Sequence, residues 1–352
     1  MLLYLAILVL LLAILGALLS PFALIVGALP VDTSGFLIHV NLAKLYIANF
    51  FLWFFLIFGT LMSSIVLASR WMRHRAPRRP APAGMSSRLA STWHPTKIAV
   101  AITAYNEAKA IEQVVREFKA QESVVEVIVI DNNSRDGTAA LAARAGARVV
   151  LETRQGYGYA CIRGLQEALN VPEAETIVLT EGDGTFVAND LAKFQAYIHQ
   201  ADLVVGTRVA PGLVEEHSQM DHFFIWGNIF ASALLRLKFW DLQFLGAVSL
   251  SDLGCTYRAI RREALAKIAR QLQVGGDHFS PDMIMAALAS GLSIVEIPVS
   301  FRRRIGDSKG ASRSLWQGLR VGLAMIWHIA TYKPSSPQPV GLEPRPGEQT
   351  AV

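Results

Sequence analysis

From about residue 97 to residue 208, short runs of β-branched and aliphatic residues alternate with longer stretches whose apolar positions fall three and four apart. The short runs read as strands buried on both faces, and the longer stretches as helices with one buried stripe. Strands are expected at 98–102, 124–130, 147–151 and 177–180, with a further one over 201–208 that ends in Arg208. Ile111, Val114, Val115 and Phe118 share one face of the first helix. The alanine-rich second helix can be capped by Asn133, Ser134 or Asp136, and a third follows Gly158. Strand–helix alternation predicts a parallel sheet with right-handed crossovers. Later in the chain, 277–282 should open a helix with Ser280 as cap and Pro281 near its first position. Residues 294–301 read as an edge strand.

The N-terminal pattern is of another kind. Residues 2–30 carry no charge, and 45–67 form a second apolar run bracketed by Lys44 and Arg70. Each is long enough to cross a bilayer, which takes about 20 apolar residues. The first run lacks a basic leader and is too long for a signal peptide. Apolar residues make up 52% of the chain and charged ones 17%. Soluble domains carry about 25% charge, so the deficit supports a membrane segment. No acid occurs between Asp32 and Glu107, and six arginines lie between Arg70 and Arg88. Positive charge marks the cytoplasmic side, so both termini and everything beyond Arg70 are expected there. Residues 1–69 are thus read as two transmembrane helices, and 70–96 as a basic Pro/Ser-rich linker able to hold anionic headgroups.

Those six arginines exceed the net charge of +5. Basicity is therefore local, which argues against a nucleic-acid binder. Cys161 and Cys255 lie far apart with no CxxC pairing, as in a reduced cytosolic domain.

Each expected strand ends in polar residues: Tyr105, Asn106 and Glu107; Asp131 and Asn132; Arg154, Gly156 and Gly158; Glu181 and Asp183. Ligands of open α/β sheets bind past the carboxyl ends of strands. Glu181 and Asp183, spaced around Gly182, are hard-oxygen ligands suited to Mg²⁺ or Mn²⁺ with substrate phosphates; an ordinary acidic turn is the plainer alternative. Arg154 beside the glycine turn suits phosphate. Gly156-Tyr157-Gly158 does not match GxGxxG, so a dinucleotide fold is set aside.

Ala104-Tyr105-Asn106-Glu107, Asp131-Asn132-x-Ser134-x-Asp136-Gly137-Thr138 and Glu181-Gly182-Asp183 together resemble the donor half of family 2 glycosyltransferases with the GT-A fold. More narrowly, the chain is similar to dolichyl/polyprenyl-phosphate sugar synthases, over about residues 97–312. The resemblance implies that Tyr105, Glu107, Asp131 and Asn132 cradle the nucleoside, that Arg208 lies near a donor or acceptor phosphate, and that transfer inverts the anomeric carbon. The family's metal motif is usually DxD, and Glu181 stands here in place of the first Asp. Phe301, Arg304, Gly306, Ser308 and Lys309 resemble a Phe-x-x-Arg…Gly-x-Ser-Lys segment, one residue longer between Arg and Gly. Such a basic loop binds diphosphate or lipid phosphate and orders on binding.

Residues 217–250 are unusually apolar and mix aromatic with basic side chains. They read as a platform lying in the membrane interface, or as a buried helix pair. The segment Asp252-x-x-x-x-Tyr257-Arg258 resembles the family's acceptor side. Asp252 is either a general base for a hydroxyl acceptor or a group that orients Arg258 or sugar hydroxyls. Residues 313–332 form an amphipathic, interfacial helix with Arg313, Gln317, Arg320, His328 and Thr331 opposite Trp316, Leu319, Leu323, Ile326 and Ile329. Residues 333–352 are polar, proline-rich and expected to be disordered.

The expected protein is a membrane-anchored α/β GT-A transferase facing the cytoplasm. It moves a hexose from a nucleoside diphosphate sugar to polyprenyl phosphate with Mg²⁺ or Mn²⁺, using Asp183, Asp252, Arg208, Arg304 and Lys309. A hydroxyl acceptor with Asp252 as base, and an inactive nucleotide-sugar-binding scaffold prompted by Glu181, are the alternatives. A processive polysaccharide synthase is disfavoured, because Gln-x-x-Arg-Trp is absent.

Overall fold

The computed structural model of the chain describes residues 56, 59, 60, 63, 64, 94–216, 218, 222–239, 249–306 and 315–333. The chain forms two compact units, Met1–Arg78 and Arg79–Val352. In the first, Leu56, Gly59, Thr60, Ser63 and Ser64 are helical, and Thr60 Oγ1 donates to the carbonyl of Leu56 at 2.8 Å. The two expected spans otherwise lie outside the described residues, as does nearly all of the expected linker. Among the described residues no helix is long and apolar enough to cross a membrane.

The second unit is built on a seven-stranded sheet. Its strands are β1 (Ile98–Ala104), β2 (Val124–Asp131), β3 (Arg148–Leu151), β4 (Thr176–Glu181), β5 (Leu203–Thr207), β6 (Arg258–Arg261) and β7 (Ile294–Pro298). Their order is β3-β2-β1-β4-β6-β5-β7. All pairings are parallel except those of β6, which runs against both β4 and β5. This is the mostly parallel α/β sheet expected of the GT-A fold. All seven residues of β1 are buried, as suits a strand covered on both faces.

Alternate residues of the strands feed two cores. Ala99, Ala101, Ile128, Ile130, Ile177 and Leu179 face one; Val100, Ile102, Val127, Val129 and Val178 face the other. The first core is closed by helices α3 (Tyr157–Leu169), α6 (Arg262–Ile268) and α7 (Phe279–Ala289). The second is closed by α1 (Ile111–Lys119), α2 (Thr138–Arg144) and α4 (Leu191–Ile198). Ile111, Val114, Val115 and Phe118 are the buried face of α1, as the spacing predicts. Each fully buried aliphatic side chain contributes roughly 1.5–3 kcal/mol.

Strand β6 has no counterpart among the expected elements. Its sequence, Arg-Ala-Ile-Arg, carries charge into the sheet, so periodicity hides it. Arg258 is nevertheless fully buried. Its guanidinium donates to the carbonyls of Cys255 at 2.8 Å, Ser280 at 2.6 Å and Leu253 at 3.0 Å. Because β6 runs backwards, the residues leading into it lie at the carboxyl edge of β4 and β5. Topology, not sequence proximity, brings Asp252 and Thr256 to the other strand ends.

Two capping expectations are corrected. Helix α7 begins at Phe279 with His278 before it and no side-chain cap, so Ser280 lies inside the helix. Helix α2 is preceded by Gly137 in the left-handed region (φ 85°); Asp136 Oδ1 instead accepts from Thr138 N at 3.2 Å. Helices α5 (His222–Lys238) and α8 (Leu315–Thr331) complete the unit. Lys238 Nζ donates to the carbonyls of Ala330 and Tyr332 at 3.1 and 2.9 Å, joining the ends of the two helices. On α8, His328 leaves the expected polar stripe and meets Asp282 of α7 at 2.8 Å.

The glycines of the Gly156–Gly158 turn have a packing reason. A Cβ on Gly158 would lie 2.0 Å from the carbonyl oxygen of Val274, and one on Gly156 2.4 Å from that of Gly275. Gly158→Ala is expected to destabilise the protein by about 1–3 kcal/mol, because backbone must shift to admit the methyl. Gly212→Ala, where a Cβ meets nothing within 4 Å, should stay within about 0.5 kcal/mol of wild type. Denaturant unfolding of the two variants checks this.

Candidate active site

The strand order reverses between β1 and β4, and the carboxyl ends of strands flanking such a point open a crevice. The loops after β1 and β2 are knitted together there. Asn106 N donates to Ser134 Oγ at 2.9 Å, Glu107 N to Thr138 Oγ1 at 2.8 Å, and Arg135 N to Asn106 Oδ1 at 2.7 Å. Asn106 takes the left-handed conformation (φ 54°), which Asn tolerates better than most residues. The two sequence motifs are therefore one interlocked structure.

Asn132 is spent on the backbone. Its Nδ2 donates to the carbonyls of Glu152 and Arg154 at 3.0 and 2.8 Å, and its Oδ1 accepts from Gly156 N at 2.9 Å. It shapes the 152–156 loop beneath the crevice. Arg154 pairs with Glu152 (Nε–Oε1 3.0 Å) and stacks over Tyr159 at 4.6 Å. That engagement, with the tight packing of Gly156 and Gly158, fixes the shape of the loop.

Asp183 and Glu181 point to different partners. Asp183 Oδ1 accepts from Thr185 N and Oγ1 at 3.0 and 2.6 Å. Its Oδ2 accepts from Arg304 Nη1 at 2.8 Å, while Arg304 Nη2 reaches Glu107. The guanidinium thus bridges carboxylates from the ends of β1 and β4. Glu181 Oε1 accepts from Thr256 Oγ1 at 2.5 Å, and Thr256 Oγ1 lies 2.6 Å from the Tyr157 hydroxyl. Since Thr256 donates to Glu181, Tyr157 must be the donor to Thr256. Burial, and then the charge of Asp183, pushes the Glu181 carboxyl up.

Asp252 is fully buried and held by Arg208. Its Oδ2 accepts from Arg208 N at 3.0 Å and Nε at 2.7 Å, and its Oδ1 from Nη2 at 2.9 Å. Of the alternatives for Asp252, orienting Arg258 is not what the structure shows: the partner is Arg208, and the Arg258 guanidinium is taken by carbonyls. Glu296 of β7 supports the turn, accepting from Ser251 N and Asp252 N at 2.8 and 3.0 Å. Burial opposes ionisation of Asp252, yet Arg208 holds its carboxyl below the ordinary range.

These groups surround a cavity of about 600 Å³. Ala104, Tyr105, Glu107, Asn132, Gly156, Glu181, Gly182, Asp183, Arg208 and Arg304 line it. The expected site residues Asp131, Arg154 and Asp252 are not among those that line it, and Lys309 lies outside the described residues. Sequence reasoning missed Tyr157 and Thr256, which sit in the cavity beside Glu181. Thr256, two residues before Arg258, carries no local signal of its role. The opposite wall is apolar: Phe230 and Ala231 of α5 face Leu319, Gly322, Leu323 and Ile326 of α8. Both cysteines are free and buried; burial raises the Cys255 thiol to about 12, so it is no nucleophile at neutral pH.

Among the described residues, no group of three or more His, Cys, Asp or Glu is arranged to hold a metal ion. The donor set still fits Mg²⁺ or Mn²⁺, which take one or two carboxylates and complete their shell with phosphates and water. Asp183, with Glu181, would hold such an ion; in the structure Asp183 meets the guanidinium of Arg304.

The Glycosyl transferase family 2 description matches residues 99–269. A dolichyl-phosphate hexose transferase of Haloferax volcanii is 31% identical over 214 residues, which is 60% of this chain and 86% of that protein. The chain belongs to glycosyl transferase family 2. A polyprenol monophosphomannose synthase of Mycolicibacterium smegmatis is 28% identical over 240 residues, 65% of this chain and 87% of that one. A solved structure of glucosyl-3-phosphoglycerate synthase from Mycobacterium tuberculosis, with Mn²⁺, UDP and phosphoglyceric acid, has a TM-score of 0.49 at 18% identity, covering 74% of this chain and 87% of that one. The protein is a glycosyltransferase, and its expected membership holds.

Removing one partner of a buried ion pair costs about 3–5 kcal/mol, so Asp252→Ala should lose stability of that order. A carboxyl whose folded pKa is depressed stabilises above its unfolded value and loses that contribution as pH falls through the folded value. The gap between wild type and Asp252→Ala should be constant at neutral pH and shrink below about pH 3.9, the ordinary Asp value. Unfolding midpoints measured across pH check both statements.

Proposed function

We propose that this glycosyltransferase moves a hexose from a nucleoside diphosphate sugar onto a polyprenyl phosphate at a membrane surface. The observation that carries this reading is the two-sided cavity. Its strand-end wall holds carboxylates and arginines suited to a nucleotide, while its α5–α8 wall is apolar and suited to a hydrocarbon chain. Phe230, Leu319 and Leu323 line the cavity and are also exposed, so its apolar end opens at the surface. Trp226, Trp316 and Trp327, on the same two helices, are 67%, 77% and 72% exposed. Tryptophan on an apolar rim favours a lipid interface. The relatives named for dolichyl and polyprenol phosphates support the same acceptor class.

In this reading Tyr105, Glu107 and the Asn132 loop border the nucleoside. Asp183 and Arg304 meet the diphosphate, and Arg208 borders the acceptor phosphate. A divalent cation held by Asp183, with Glu181, would offset charge on the departing diphosphate. The acceptor phosphate oxygen bonds to the anomeric carbon as the bond to the diphosphate breaks, and the nucleoside diphosphate leaves. A phosphate oxygen is already an anion and needs no base. Asp252, with both oxygens engaged by Arg208, is poorly placed to be one, which disfavours a hydroxyl acceptor relying on it. The membrane anchor, the cytoplasmic orientation and the Lys309 phosphate contact remain part of the proposal.

Purified enzyme given a panel of nucleotide sugars, with Mg²⁺ or Mn²⁺, should glycosylate polyprenyl phosphate and leave the free polyprenol untouched. Transfer to the alcohol alone would reverse the acceptor assignment, and no lipid-linked product with any donor would sink the reading. A Cβ on Gly322 meets nothing within 4 Å, so Gly322→Leu can extend into the apolar end. It should raise KM for the lipid on the order of tenfold, equivalent to about 1.4 kcal/mol, with donor binding unchanged by calorimetry.

A further inference from the structure

We propose that Arg304 is an internal counter-cation. In the nucleotide-free enzyme it occupies the metal side of Asp183, and it yields that place only when a donor diphosphate arrives. Divalent-cation binding thereby becomes conditional on nucleotide binding. The inference rests on the metal-assisted donor site proposed above, and adds a binding order to it.

Three observations carry it. The Arg304 guanidinium is split between two carboxylates, Nη1 on Asp183 Oδ2 at 2.8 Å and Nη2 on Glu107. Its side chain is only 12% exposed, so water does little to weaken the bridge. A divalent ion on Asp183 Oδ2 would sit against a guanidinium already bonded to that oxygen, and like charges at such range exclude one another.

The second observation is an unfilled donor. Arg304 Nε is buried and finds no partner among the described residues. A buried N–H without an acceptor is costly, so the observed position leaves this guanidinium incompletely satisfied. A diphosphate supplies several anionic oxygens, and arginine pairs with phosphate through adjacent N–H groups. The arriving donor therefore offers Arg304 better partners while freeing the Asp183 carboxylate, which would hold the cation.

The third is the anchoring of the loop. Arg302 N donates to the Thr185 carbonyl at 2.8 Å and Ile305 N to the Asp183 carbonyl at 3.1 Å. Ile305 packs on Gly184, where a Cβ would lie 2.8 Å from its Cδ1. The backbone on both sides of Arg304 is thus tied to the turn that carries Asp183. Side-chain rotation alone can exchange the carboxylates for a diphosphate, with no dissociation of the loop.

The test is Mn²⁺ binding to the full chain, followed by electron paramagnetic resonance of free Mn²⁺, with and without UDP or GDP. Pairing of Mn²⁺ with the diphosphate in solution is common to all variants and cancels in the comparison. Wild type should bind Mn²⁺ alone at least about tenfold more weakly than Arg304→Gln does. Because the nucleotide draws Arg304 off Asp183, Mn²⁺ affinity of the nucleotide complex should match in the two proteins, so the nucleotide's enhancement of Mn²⁺ affinity should shrink by the same factor in Arg304→Gln. Arg304→Lys, which keeps the charge but not the two-pronged reach, should fall between them and guards against a folding defect in the glutamine variant. Equal Mn²⁺ affinity in wild type and Arg304→Gln, with binding still abolished by Asp183→Asn, overturns this proposal and leaves the metal site standing. Mn²⁺ binding that ignores Asp183→Asn overturns both.

Discussion

Carboxylates at the ends of buried strands must be met by positive charge, and the architecture of the site follows from that requirement. The ends of parallel strands covered on both faces deliver Glu107 and Asp183, and the segment leading into antiparallel β6 delivers Asp252, into places with little water. Desolvated charge is tolerated only when paired and hydrogen-bonded. Two arginines answer it. Arg304 ties the ends of β1 and β4 together, and Arg208 neutralises Asp252 with three donors. Both line the cavity, so the groups that keep the strand ends stable are also those a phosphate would engage.

The reversed strand β6 gives that charge network its geometry. Its direction carries the 252–257 segment to the same edge as the ends of β4 and β5. A third arginine, Arg258, holds that segment by donating to the carbonyls of Leu253 and Cys255 within it and of Ser280 in α7. The result sets Glu181 apart from Asp183. The longer acid turns to Thr256 and Tyr157, while the shorter one faces Arg304. The Glu-Gly-Asp spacing thus places its two acids in different electrostatic settings: one with its carboxyl raised by burial, the other against a guanidinium.

Family membership makes the protein a glycosyltransferase, and the two-sided cavity is what the proposed lipid acceptor rests on. The donor side is built from strand ends and their interlocked loops, and the opposite side from helices whose apolar residues continue to an exposed aromatic rim. The expected apolar stripe of α8 is correct in composition, but Trp316, Leu319 and Leu323 are exposed. Only Ile329 of that stripe is deeply buried. Amphipathic periodicity identifies a face without identifying what covers it.

The sequence by itself determined the main strands of the sheet, the buried face of α1, the polar strand ends and the family. These depend on local periodicity and on motifs within a few residues of one another, and β-branched runs and turn chemistry act at that range. Only the tertiary structure decided which acid meets which base. Arg304 reaches Glu107 across 197 positions, Arg208 reaches Asp252 across 44, and Thr256 reaches Glu181 across 75. It also gave Asn132 and Arg154 a part in holding the 152–156 loop, through the carbonyls of Glu152 and Arg154 and through the Glu152 carboxylate, contacts that sequence spacing does not reveal. Charge pairing in a buried site is set by distance through space, and chain topology alone determines that distance.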